Sequence, residues 1–115
     1  MRFGLSEQTI ARIGSILAGH PLVEKAVLFG SRAKGAHKPG SDIDLALYGD
    51  AISPREMDRI LEELDALDLP YVVDLSVFGR LAHAGLREHI ERVGVVFFQR
   101  PAEARPVSTG PDTPS

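Results

Sequence analysis

The chain contains no cysteine, which excludes disulfides, a thiolate nucleophile and Cys-ligated zinc together. Nothing therefore points to an oxidising compartment, and the expected location is the cytoplasm. Positive charge is not in excess either: 13 Lys and Arg stand against 16 Asp and Glu, for a net charge of -3. A chain of that balance has no global field to collect nucleic acid, so direct nucleic-acid binding is not expected. Long hydrophobic runs are also missing. No stretch approaches the roughly 18 apolar residues of a membrane span, and the first twenty residues carry polar groups throughout, so neither insertion nor secretion is expected. Two phosphate-binding signatures are absent as well. No GxGxxG occurs, and although Gly30 and Gly35 have P-loop spacing, Ala36 stands where that loop needs its lysine.

What remains is a soluble composition, 43% hydrophobic and 25% charged over 115 residues, enough for one domain. Composition shifts after Phe98. The segment PAEARPVSTGPDTPS holds four of the eight prolines and only Val107 as a sizeable apolar side chain. Such a segment buries too little to offset its ordering entropy. The expected division is a folded core over 1–100 and a flexible, proline-rich tail over 101–115. Without Glu103, Arg105 and Asp112 the core carries a net charge of -2.

Within the core, Ile10, Ile13 and Leu17 recur at helical spacing behind Ser6, which predicts a helix over about 6–18, ended by Gly19 and Pro21. VEKAVLFG reads as a strand stopping at Gly30, followed by a loop, SRAKGAHKPGS. DIDLALYG then alternates Ile43, Leu45 and Leu47 on one face with Asp42, Asp44 and Ala46 on the other. SPREMDRILEELDAL opens on a capping box, with Ser53 at N-cap, Pro54 at N1 and Glu56 at N3. Its buried face is expected from Met57, Ile60, Leu61 and Leu64. YVVDLSVFG reads as a third strand, LAHAGLREHIERVG as a helix turning Leu86, Ile90 and Val93 inward, and VVFF as a fourth strand. The order αββαβαβ describes an α+β (α/β) protein, a mixed sheet with helices packed on it. The aromatic side chains Phe29, Tyr48, Phe78, Phe97 and Phe98 fall in β-rich runs and are expected inside.

Chemistry concentrates in two places. Asp42 and Asp44, two apart on a strand, leave one face about 6–7 Å apart along the chain, a spacing at which like charges repel unless a cation lies between them. Asp74 is the only charge in an otherwise apolar strand, where a carboxylate calls for a partner or a metal. If the third strand lies beside the second, three carboxylates converge, enough for the paired metals of in-line phosphoryl chemistry. Taken singly, each feature has a plainer reading: a solvated turn for the Asp pair, an exposed edge for Asp74, and a simple turn for Gly30-Ser31. Arg32, Lys34 and Lys38 are loop cations that either contact phosphate or are merely solvated. His83 and His89 do not share a helix face, no histidine has zinc-site spacing, and only His37, in the loop, is placed for phosphate contact.

In this order the motifs resemble those of the minimal nucleotidyltransferase domains of the polymerase-beta-like nucleotidyltransferase superfamily. Their signature is Gly-Ser, ten residues, then Asp-x-Asp, matched by Gly30-Ser31, residues 32–41 and Asp42-Ile43-Asp44. The fuller forms GSRAxG and SDIDL stand at Gly30–Gly35 and Ser41–Leu45. The resemblance covers nearly the whole core and implies the polymerase-beta-like fold. It also implies a catalytic, metal-holding triad of Asp42, Asp44 and Asp74, the last helping to deprotonate the attacking hydroxyl. Gly30, Ser31, Arg32, Lys34 and Ser41 become the expected nucleotide contacts, with two Mg²⁺ ions and ATP as the ligands. Members of this size resemble antitoxins paired with HEPN-domain toxins, which implies transfer of AMP to a toxin tyrosine within a hetero-oligomer. The alternatives are an antitoxin or partner subunit that neutralises by binding alone, and a small-molecule nucleotidyltransferase of the antibiotic-modifying kind. The second lacks an acceptor domain here.

Overall fold

A computed structural model describes residues 3–35 and 42–101, except the side chains of Ser31 and Lys34. The elements run α1 (Glu7–Ala18), β1 (Lys25–Phe29), α2 (Ser31–Lys34), β2 (Ile43–Tyr48), α3 (Pro54–Asp65), β3 (Val73–Val77), a 3-10 turn (Phe78–Arg80), α4 (Ala84–Val93) and β4 (Val95–Gln99). The result is the expected α+β architecture. One four-stranded sheet has the order β3-β2-β1-β4. β1 pairs antiparallel with β2 and β4, and β2 pairs parallel with β3. The expected loop after β1 differs in one respect, because its first four residues form a helical turn, α2. The sequence SRAK has no β-branched residue to resist a helical turn, but four residues carry no periodicity by which to recognise one.

Alternation along β2 divides the molecule. Ile43, Leu45 and Leu47 are fully buried against Ile10, Ile13 and Leu17 of α1 and Ile60 and Leu64 of α3. On the opposite face Val27, Ala46 and Ile90 form a smaller cluster, with Phe29, Tyr48, Phe78 and Leu86 packed around it. Tyr48 and Phe78 stack with centroids 4.5 Å apart, while Phe97 and Phe98 join the larger core. The aromatic residues therefore pack inward as expected. α4 packs on this second face through Ile90.

The caps form where the sequence places them. Ser6 accepts from Thr9 N, and Ser53 accepts from Glu56 N behind the Pro54 start of α3. The capping box at α3 is only half made, because the Glu56 carboxylate turns to His20 Nδ1 instead of back to the helix start. Leu61 also departs from expectation. It is 38% exposed, while Ile60 and Leu64 take the core positions. At the far end of the chain Arg100 is buried and donates to the carbonyls of Leu17, Ala18, His20 and Val23 at 3.0–3.2 Å. It thereby satisfies carbonyls left over at the end of α1. The expected tail beyond Pro101 lies outside the described residues. No helix among the described residues is long and apolar enough to cross a membrane.

Candidate functional site

The turn from β1 into α2 passes through Gly30 at φ +82°, a conformation L side chains rarely adopt. Space imposes the same choice, since a β-carbon on Gly30 would stand 2.5 Å from Asp44 Oδ2. The glycine thus lets the backbone pass directly beneath a carboxylate. Asp44 sits opposite Phe29 in the β1–β2 pair and opposite Asp74 in the β2–β3 pair. Register partners on adjacent parallel strands point to the same face, so Asp44 and Asp74 share one sheet face, that of Ala46 and the smaller cluster. Asp42 precedes β2 by one residue and, by the same alternation, belongs to that face.

Asp44 is half-buried and Asp42 and Asp74 are exposed. Burial raises the Asp44 pKa above the ordinary carboxylate value, and the nearby charges of Asp74 and Asp42 push it further up. Among the described residues no three acidic or histidine side chains are gathered tightly enough to hold a metal ion. The three aspartates share a sheet face without converging on one point. Their chemistry nevertheless fits a hard divalent cation. All are oxygen donors, Gly30 keeps the space beneath Asp44 clear, and the mutual repulsion registered at Asp44 is what such a cation relieves.

The other expected nucleotide contacts are distributed differently. Ser31 and Lys34 stand on α2, but their side chains are not described. Ser41, Lys38 and His37 lie outside the described residues. Arg32 is only 3% exposed. Its Nη1 donates to the Phe3 carbonyl at 2.8 Å, and its guanidinium lies 4.8 Å from the centre of the Tyr71 ring. That side chain reaches inward and ties α2 to the core. His83 caps α4 by accepting from Leu86 N. His20 drew no attention in the sequence, yet it is buried, with Nδ1 bound to Glu56 and Nε2 2.9 Å from Glu63. Its partners lie 36 and 43 residues away, so no local pattern could have revealed it.

A family model described as "Polymerase beta, Nucleotidyltransferase" matches residues 11–103. No curated protein matches the chain. Among solved structures, the chain is similar to one described as the crystal structure of a toxin-antitoxin with AMP-PNP, at 25% identity and TM-score 0.64, covering 87% of this chain and 78% of that one. It is also similar to the crystal structure of the toxin-antitoxin MntA-HepT, at 22% identity and TM-score 0.61, covering 83% and 74%. A mutant of that pair with two aspartates changed to glutamate gives 22% identity and TM-score 0.61, covering 87% and 78%. The last two likenesses are likenesses of fold.

Proposed function

The chain belongs to the polymerase beta nucleotidyltransferase family, and from that premise we propose that it is a metal-dependent antitoxin transferring AMP from ATP to a tyrosine hydroxyl of a cognate HEPN-domain toxin. The observation that carries this reading is the in-register pair of Asp44 and Asp74 on adjacent parallel strands, with Gly30 passing beneath the first. The likeness to a toxin-antitoxin structure holding AMP-PNP supports an adenine nucleotide and a toxin as ligand and partner.

In the reaction the acceptor oxygen forms a bond to the α-phosphorus of ATP, the bond from that phosphorus to the bridging oxygen breaks, and pyrophosphate leaves. Such transfer depends on positioning and on neutralising charge at the phosphate oxygens. Asp42, Asp44 and Asp74 would hold divalent metal, whose contribution when bound is that neutralisation. Asp74 belongs to the edge strand β3 and is exposed, the place from which it takes the proton of an incoming hydroxyl. Gly30 and the α2 turn bring backbone and Ser31 to the triphosphate, with Lys34 and Ser41 completing the contacts. The Arg32 guanidinium supports that turn from behind through Phe3 and Tyr71.

The same toxin-antitoxin likeness supports a protein, whose own surface closes the site, as the acceptor. The test is mass spectrometry of a co-expressed HEPN protein. The expected result is a gain of one or more AMP units on tyrosine, absent with Asp44→Asn. A toxin that is silenced yet unmodified would overturn the enzymatic reading in favour of occlusion.

A further inference from the structure

An open cavity of about 660 Å³ lies between the C-terminal end of α3 and the start of β3. Its apolar surface includes Leu61, Leu69 and Val72, and its acidic groups are Asp42, Glu62, Asp65 and Asp68. Leu61 is 38% and Val72 64% exposed, although both are large aliphatic residues that the core could have used. Asp42 belongs to this cavity and to the proposed catalytic face alike, so the two adjoin.

The charge here runs against the local rule for helices. Glu62 and Asp65 stand in the last turn of α3, which has no basic residue, and Asp68 follows shortly after. A helix C-terminus already carries partial negative charge and favours cations. None of the carboxylates of Glu62, Asp65 and Asp68 has an ion pair or side-chain hydrogen bond among the described residues. Arg12 of α1 reaches this region but donates to the Leu67 carbonyl at 3.2 Å. Among the described residues the negative potential therefore stays open to solvent around an apolar floor.

We propose that this cavity docks a cationic, amphipathic segment of the protein that presents the acceptor hydroxyl, a proposal that rests on the acceptor being a protein. Charge complementarity selects that occupant. Aliphatic side chains of the segment cover Leu61, Leu69 and Val72, and its Lys or Arg residues face Glu62, Asp65 and Asp68. A triphosphate is the wrong occupant, because Glu62, Asp65 and Asp68, which stand outside the proposed metal-holding aspartates, would repel it. Docking here brings the acceptor next to Asp42 and makes the cavity the determinant of which protein is modified.

The test needs no transfer activity, so its failure and that of the function reading are distinguishable. The probe is a fluorescent, tyrosine-bearing Leu/Lys peptide of about 15 residues, long enough to form a helix. It is titrated against the full chain beside a Leu/Glu peptide of the same pattern. The Leu/Lys peptide is expected to bind, more weakly as salt rises, and the Leu/Glu peptide is not. Glu62→Lys/Asp65→Lys/Asp68→Lys should weaken binding by about tenfold or more, and Leu61→Ser/Val72→Ser should weaken it without a change in charge. Glu88→Lys/Glu91→Lys on α4 should leave it unchanged. Failure of the Leu/Lys peptide to bind, equal effects of the two charge reversals, or displacement of the peptide by adenosine would overturn the proposal. Displacement by adenosine would make the cavity a base pocket instead.

Discussion

Gly30 lies directly beneath the carboxylate of Asp44, so closely that one added methyl group would stand 2.5 Å from Oδ2. Gly30→Ala therefore has two costs, a positive φ of about 1–2 kcal/mol for an L residue and displacement of the carboxylate. The expected outcome is a modest fall in melting temperature with a much larger loss of AMP transfer. Comparing differential scanning calorimetry with label transfer from ATP separates the two.

Asp44→Asn and Asp74→Asn should each reduce transfer by about 10²–10³-fold or more while the protein stays folded. Burial, and after it the like charges of Asp74 and Asp42, push the Asp44 pKa up, so neutralising it should leave the melting temperature equal or higher. Excess chelator should abolish transfer by the unaltered protein. Full activity in either variant or in chelator would remove the carboxylates from the mechanism.

His20 gives the fold a pH dependence of predictable sign. Burial alone would lower its pKa, but the hydrogen bonds to Glu56 and Glu63, aided by their charges, raise it above the usual 6.5. A raised folded-state pKa means stabilisation that is complete below the unfolded value and is lost as pH rises through the folded value. Melting temperature should therefore decline as pH increases from about 6.5. His20→Gln should lower stability by about 1.5–3 kcal/mol at pH 6 and flatten that decline. An equal slope in both proteins would show that another group governs it.

Arg100 separates two truncations that differ by a single residue. A chain ending at Arg100 should melt as the full chain does, because residues 101–115 offer almost no apolar surface. A chain ending at Gln99 loses the donor to four carbonyls and should be less stable by about 3 kcal/mol. Urea unfolding of the two, fitted with a common slope, measures the difference.

Local rules made much of this molecule readable in advance. Ser6 and Ser53 cap helices as their positions indicate, and the alternation in β2 puts Ile43 on one face and Asp44 on the other because successive side chains of a pleated strand point to opposite faces. The three aspartates were legible as residue types in order, although only the parallel pairing of β2 with β3 shows Asp44 opposite Asp74. What escaped were long-range polar contacts. Glu56 has the spacing of a capping box but is drawn away by a buried histidine 36 residues earlier. Arg32, in a segment read as a phosphate loop, is held by Phe3 and Tyr71, contacts 29 and 39 positions away in the chain that no local pattern announces. Leu61 fits the helical stripe but lies at its margin, where α3 faces an open cavity. For Glu56 and Arg32 the deciding partner is distant in sequence, and periodicity carries no information about it.

The position of β4 has a consequence for synthesis on the ribosome. β1 is an inner strand, yet its second neighbour is Val95–Gln99, some seventy residues further along the chain. Until that strand emerges, β1 presents an unpaired edge and the end of α1 lacks the arginine that satisfies its carbonyls. The nascent chain therefore passes through a stage with an adhesive strand exposed, the form in which proteins pair wrongly with copies of themselves. Folding is completed by nearly the last residues of the core, which ties the quality of the whole domain to an intact C-terminal strand.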